Sequence, residues 1–255
     1  NLFAQQQLTL AESKELALKN NNRIGKAKED VIATQSDKLI ADVAGRPKLD
    51  ASATAFYFGE PLNTMLPEYG FAPMVSVTQP IYTGGKIKYG KQMAETNIQM
   101  SNAQQRLVED EVLLATETAY WLLVQAKEEI KLEQQVKKQL ASHYTFLNNQ
   151  FGAGLIYKND VLRAKVLQNE NEARLQAAEN KLILAKRRLS QLIGMEAPTG
   201  IDVADTLSTG DFSKQGVLDA VDANRPEIEL ATNGIKMSQL TKSMLKADLK
   251  PSVGL

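Results

Sequence analysis

The sequence predicts a mainly α fold, built of very long antiparallel coiled-coil-like helices into which two β-strands are inserted. Three observations predict it. From Lys86 to Gln150 the chain has no proline and one glycine, Gly90, while Ala, Leu, Gln, Glu and Lys dominate, so local propensity favours one unbroken helix. Along it Val108, Val112, Ala115, Ala119, Leu122 and Ala126 step by fours and threes, and Val136, Leu140, Tyr144, Leu147 and Phe151 continue on a drifted stripe, which is the seam of a coiled coil. Between Leu49 and Phe58 the pattern changes instead to period two, the mark of a strand.

Taken in order, Thr9-Leu10-Ala11-Glu12 has capping-box spacing and opens a helix that runs to the Asn20-Asn21-Asn22 cluster, where asparagines suit a C-cap followed by a new N-cap. A second helix carries Ile24, Ala27, Val31, Thr34 and Ala41 on one stripe and ends at Gly45-Arg46-Pro47. The two helices are expected over 9–44.

The first strand, 49–58, alternates Leu49, Ala51, Ala53, Ala55 and Tyr57 with Asp50, Ser52, Thr54, Phe56 and Phe58. After a loop with Gly59, Pro61, Asn63, Pro67 and Gly70, Met74 to Gln79 marks a second strand, 72–83, most simply antiparallel to the first. Pro80 and Gly84-Gly85 then release the chain into the long helix, so Pro47, Pro80, Gly84 and Gly85 are the strand-helix junctions.

Each strand is about ten residues long, the length a tilted strand needs to cross a bilayer. Seven of the chain's aromatic residues (Phe56, Tyr57, Phe58, Tyr69, Phe71, Tyr82 and Tyr89) gather between positions 56 and 89, as interfacial girdles would require. A two-stranded hairpin on a soluble domain is the competing reading. Because a lone hairpin is marginal, the strands are expected to be unpaired, mispaired or rearranged unless another chain completes them.

The long helix is expected over 86–150 and, at about 1.5 Å per residue, spans on the order of 100 Å. Glu117, Gln125 and the run Lys127 to Gln135 interrupt its apolar positions, which excludes a membrane-spanning helix of roughly 20 mostly apolar residues. Phe151-Gly152-Ala153-Gly154-Leu155 breaks it, and a return helix over 158–193 carries the heptad Leu175, Ala178, Leu182, Ala185, Leu189, Leu192. The two form an antiparallel hairpin.

Gly194 to Gly210 reads as a linker, after which the chain repeats itself. An offset of 204 positions superposes Pro47 on Pro251, Asn20 on Asn224, Ile24 on Ile228, Ala27 on Ala231, Val31 on Ile235, Gln35 on Gln239 and Lys38 on Lys242. Residues 1–204 are thus expected to be a first structural repeat and 205–255 the start of a second, in a truncated protomer.

Thirty Lys+Arg balance thirty Asp+Glu, so no net charge draws the chain to nucleic acid. With no cysteine and one histidine, His143, thiol chemistry, the usual zinc sites and disulfide staples are excluded. No nucleophile and base pair is identifiable, and no cofactor or metal site is expected. Thr83-Gly84-Gly85-Lys86 lacks the first glycine and the Ser/Thr of a phosphate loop. Glu109-Asp110-Glu111 is most simply a solvated patch, with acidic pore lining as the alternative, and Trp121 beside Tyr120 reads as packing. Asn1 to Gln5 fits either the end of a secretory signal or a plain polar start.

The chain resembles the TolC family of outer-membrane efflux channels over essentially its whole length. The motifs that carry the resemblance are Leu8-Thr9-Leu10 with Ala17-Leu18-Lys19-Asn20-Asn21, Gln79-Pro80-Ile81-Tyr82-Thr83-Gly84-Gly85, the tip Phe151 to Val161, Leu192-Ile193-Gly194 and Asn224-Arg225-Pro226-Glu227-Ile228. The resemblance implies a homotrimer when full length, each protomer giving four strands to a 12-stranded outer-membrane barrel above an α-helical tunnel in the periplasm. It implies a passive exit duct, not an enzyme, serving multidrug efflux or type I secretion. Its partners would be outer-membrane lipid, a periplasmic adaptor and, through that, an inner-membrane pump. A periplasmic adaptor or helical scaffold is the alternative.

The resemblance implies that an adaptor docks on the hairpin tip; Gly152 and Gly154 flank the helix break and leave the apolar Leu155 exposed at the turn, so docking is expected at Gly152, Gly154 and Leu155, and the resemblance implies a periplasmic gate at Asn159 and Asp160. Tyr157 stands where family members often carry Ser or Thr, so the usual cap of the return helix is missing. Asp160 keeps two readings, a carboxylate stabilised by the helix N-terminus and a partner in the bonds that close the tunnel.

Overall fold

The computed structural model describes residues 6–60, 65, 67–195, 201–205 and 225–255. The proposed signal remnant Asn1 to Gln5, Pro61, Asn63, Asn224 and most of the Gly194 to Gly210 linker lie outside the described residues. The elements are β1 (Gln6–Leu8), α1 (Leu10–Asn20), α2 (Asn22–Val43), β2 (Lys48–Tyr57), β3 (Tyr69–Thr78), β4 (Pro80–Tyr82), α3 (Lys86–Gly152), α4 (Lys158–Ile193), β5 (Ile201–Val203), α5 (Pro226–Asp248) and β6 (Val253–Gly254). They form two compact units interleaved in sequence, Asn1–Lys28 with Gln105–Ala223 and Glu29–Gln104 with Asn224–Leu255. This is a division by contact, different in kind from the sequence repeat, because a helix as long as α3 contributes to both units.

In the first unit, Thr9 caps α1 in a complete capping box with Glu12. Its amide and hydroxyl hold the Glu12 carboxyl below the usual carboxylate range. The core gathers Leu8, Ala17, Ile24, Val112, Ala119, Tyr120, Leu123, Val124, Leu189, Ile193, Ile201 and Val203. Two short strands, β1 and β5, pair in parallel beside it. Tyr120 is fully buried, its hydroxyl 2.7 Å from Asp205 Oδ2 and 3.1 Å from the Leu8 carbonyl oxygen, so the Tyr120-Trp121 pair serves packing. Burial first, then the bond to Asp205, raises the Tyr120 phenol above its ordinary value.

α4 turns its heptad onto α3. Val161, Ala164, Asn171, Ala178 and Leu189 are buried, with Leu175, Leu182, Ala185 and Leu192 half-buried between them. On α3 the expected seam holds at Val112, Ala119 and Ala126, which are buried, and at Val108 and Ala115, which are half-buried, but Leu122 is 45% exposed while Leu123 is fully buried. The reason is that α3 is packed on more than one side here. It meets α4 and also α1 with the small parallel sheet, so Thr116, Ala119, Tyr120, Leu123 and Val124 bury a wider face than one seam requires.

Asn20 and Asn21 donate their side-chain amides to the carbonyls of Ile193 (3.2 Å) and Leu192 (2.9 Å). They cap the end of α4, where two carbonyls lack helical partners. Gly194 sits there at φ +71°, and a Cβ on it would come within 2.6 Å of Asn20 Cβ. Two motifs more than 170 residues apart thus make one joint.

Lys127 ties β5 to α3 through Asp202 (2.6 Å) and the Val203 carbonyl (2.9 Å). Burial alone would raise the Asp202 carboxyl, but the bonds from Lys127 and the Val203 amide outweigh it and the net shift is downward. The Asp202 contribution is therefore present above the unfolded carboxylate value near 3.9 and is lost as pH falls through the lower folded value. We expect Lys127→Met to cost roughly 1–3 kcal/mol at neutral pH. In denaturant titrations the gap to wild type should narrow below about pH 4; a gap unchanged at pH 2.5 would assign the loss to packing.

In the second unit, Lys38 bonds Glu95 at 2.8 Å, which raises the Lys38 ammonium value, and Lys86 bonds Asp248. α5 repeats the stripe of α2 in sequence but not in burial. Ile24, Ala27 and Val31 are buried, whereas Ile228 and Ile235 are 54% and 63% exposed.

Candidate functional site

The expectation that the strands would be unpaired or rearranged is corrected by the structure. β2 and β3 form a full antiparallel ladder from Lys48↔Thr78 to Tyr57↔Tyr69. The physical reason is local closure: a hairpin of two ten-residue strands satisfies one edge of each strand within itself. β3 starts at Tyr69, ahead of the expected position 72, and Pro73 lies within it opposite Ala53. The Phe58 amide donates to the Glu68 carbonyl at 2.7 Å, in register with the ladder. By alternation Ala53-Pro73 is then a non-hydrogen-bonded pair, so the missing proline N–H falls on the edge away from β2.

The register separates the two faces by chemistry. Leu49, Ala51, Ala53, Ala55 and Tyr57 stand opposite Val77, Val75, Pro73, Phe71 and Tyr69, so one face is apolar throughout with a tyrosine pair at its loop end. Lys48, Asp50, Ser52, Thr54 and Phe56 oppose Thr78, Ser76, Met74, Ala72 and Gly70, a face that is largely polar or small. The apolar face is open in this chain, Leu49, Tyr69, Phe71 and Val75 each being at least 70% exposed.

The junction residues frame this pair. Pro47 immediately precedes β2, and Pro80 begins β4, which pairs with β6 through Pro80↔Gly254. The Gln79 and Leu255 backbones exchange bonds of 2.9 and 3.0 Å. Gly84 and Gly85 have φ +65° and +101°. A Cβ on Gly84 would lie 2.6 Å from the Ala247 carbonyl oxygen, so the turn into α3 needs glycine both for its backbone angle and for room.

At the other end of α3, the Gly154 amide bonds the Phe151 carbonyl (2.9 Å) and the Leu155 amide bonds the Gln150 carbonyl (2.9 Å), with Gly154 at φ +75°. That is a Schellman cap, which usually tucks the following apolar side chain against the helix. Leu155 is instead 73% exposed, beside Tyr157 at 84%. Gly152 is the last residue of α3. Tyr157 occupies the N-cap of α4 without a side-chain cap bond, as its sequence requires. Asn159 is exposed and Asp160 half-buried in the first turn of α4, so the structure brings docking and gate candidates to one turn.

Glu111 pairs with Arg23 and Glu109 accepts from Gln105, while His143 is exposed on α3. Among the described residues no cluster of His, Asp and Glu could hold a metal. No described helix is long and apolar enough to cross a membrane.

Comparison with known proteins follows the same lines. The model of the outer membrane efflux protein family matches residues 14–195. The fold is similar to the CmeC outer membrane channel of Campylobacter jejuni, with 17% identity, 96% of this chain and 54% of that chain covered, and a TM-score of 0.78. It is also similar to the outer membrane protein VceC of Vibrio cholerae (19% identity, 96% and 60% covered, TM-score 0.75). The open-state MtrE outer membrane channel of Neisseria gonorrhoeae aligns with 19% identity, 96% and 56% covered and a TM-score of 0.68. The chain thus spans somewhat more than half the length of these channels. No curated protein sequence matches it.

Proposed function

The chain belongs to the outer membrane efflux protein family, and from that premise we propose that it supplies one repeat and the opening of a second to a trimeric exit duct. β2 and β3 cross the outer membrane as part of a barrel, and the α3-α4 hairpin reaches through the periplasm to an adaptor and its inner-membrane pump. The carrying observation is the two-faced strand pair: apolar side chains over the whole of one face fit hydrocarbon, tyrosines at its loop end fit the interface, and hydroxyls on the other fit a watery lumen.

The helices support a closed tunnel in the same way. On the side away from the seam that faces α3, α4 carries a second stripe stepping by fours and sevens, Leu162, Val166, Ala173, Ala177 and Leu184, all exposed. A helix in a closed ring needs two such seams, one for each neighbour, and small residues let the second approach closely. Leu155 at the tip is the adaptor contact, and Asn159 and Asp160 hold the resting gate.

Because the sequence has no cysteine, single cysteines placed at 49 to 57 in the full-length protein report each face separately. In outer membranes, a membrane-impermeant maleimide should label Ser52→Cys and Thr54→Cys but spare Ala51→Cys, Ala53→Cys and Ala55→Cys. Uniform labelling along the strand would remove the barrel assignment.

A further inference from the structure

Phe56 and Phe58 stand on the wrong face for a lipid girdle. Strand alternation puts Phe56 with Thr54, Ser52 and Asp50, opposite Gly70, while Tyr57 and Tyr69 take the apolar side. The Phe56 ring lies directly over Gly70: a Cβ there would come within 2.4 Å of Phe56 Cζ and 2.8 Å of Cε2. Gly70 therefore makes the seat that this ring occupies. The Phe58 ring follows on the same side, its centroid 5.2 Å from that of Phe56 at an interplanar angle of 41°. The Phe58 amide is fixed by the Glu68 carbonyl. Both rings are half-buried, so part of each presents to whatever fills the polar side.

Covering a glycine in a strand takes one ring. The second extends an apolar island at the loop end of a face otherwise made of hydroxyls, a carboxylate, an ammonium, small residues and, further along, Met74. We propose that Phe56 and Phe58 form an aromatic constriction at the loop end of the lumen, one pair from each protomer, which narrows the duct and gives departing cargo with apolar or aromatic rings a surface to stack on. This rests on the barrel reading of β2 and β3. Elsewhere this face of the hairpin offers hydroxyls, charge and Met74 but no ring, so the constriction favours ring-bearing solutes at the final step of their passage.

The test is single-channel recording of the full-length protein in planar bilayers, with tetraphenylphosphonium as probe. The Phe56→Ala/Phe58→Ala double variant should raise the salt conductance roughly two-fold. It should shorten the blocked dwell times of the probe roughly five- to ten-fold, since the rings that stack on it and attract its charge are gone. Tyr57→Ala, on the apolar face, should change neither. Phe56→Leu/Phe58→Leu keeps apolar volume over Gly70 and so guards against misfolding; it should assemble normally and still lose the long blocks. Wild-type conductance and dwell times in both double variants would overturn the proposal and leave the rings a cover for Gly70, with the duct itself standing. Silence from correctly folded wild-type trimers would instead overturn the barrel reading.

Discussion

An arginine in place of Ala53 should abolish assembly of the full-length protein in the outer membrane, whereas an arginine in place of Thr54, the next residue, should be tolerated. Ala53 faces Pro73 at the middle of the β2-β3 ladder, on the face that also carries Ala51, Ala55, Val75 and Phe71. If that face meets hydrocarbon, a guanidinium there sits near the bilayer midplane and costs roughly 2–4 kcal/mol per copy, about three times as much for a trimer that inserts as one body. Thr54 faces Ala72 on the other side, where an arginine stays in water. The measurement is the heat-resistant oligomer band from outer-membrane fractions. Equal bands from both variants would mean that the apolar face is covered by protein and not by lipid.

Replacing Gly154 with tryptophan should abolish export while leaving that band intact. Gly154 has φ +75° with nothing within 4 Å of a built Cβ, so a side chain there meets backbone strain of roughly 1–2 kcal/mol and no steric block. Assembly should not depend on that turn. Docking would, because the ring projects beside Leu155, which the Schellman cap leaves exposed. Gly154→Asn is the control, since asparagine tolerates the left-handed region; it should export. Normal export by the tryptophan variant would remove the docking assignment. Gly84 behaves in the opposite way. Its φ is similar, but the Ala247 carbonyl fills the space, so even alanine there should damage folding.

The long helices and their hairpin were legible because periodicity is a local signal repeated many times. The same signal failed at Leu122, where a second packing partner widened the buried face of α3 and the fours-and-threes rule had only one seam to assign. The alternation on β2 was visible too, but which β3 residues join each face depends on register, and the turn that sets register lies between the strands. Pro73 and Gly70 disguised the first half of β3, because a proline in a strand reads as a stop until its edge is known.

What no local pattern could show was contact across distance. The asparagines at 20 and 21 look like caps for their own helix, yet their amides serve carbonyls 173 and 171 residues on. Three-residue strands such as β1 and β5 carry too few alternations to be recognised, so the burial of Tyr120 with its hydroxyl on Leu8 and Asp205 was not foreseeable. The tip was legible from Gly152 and Gly154 alone. So was the exposure of Leu155, which a glycine cap leaves at the turn and which is 73% exposed, although the same cap often hides its apolar follower.

Single-channel recording tests the duct most directly. The purified full-length protein in planar bilayers should give long-lived, ohmic openings of uniform size, as a water-filled lumen lined by the polar face of β2 and β3 requires. Correctly folded trimers that insert and carry no current would contradict the account.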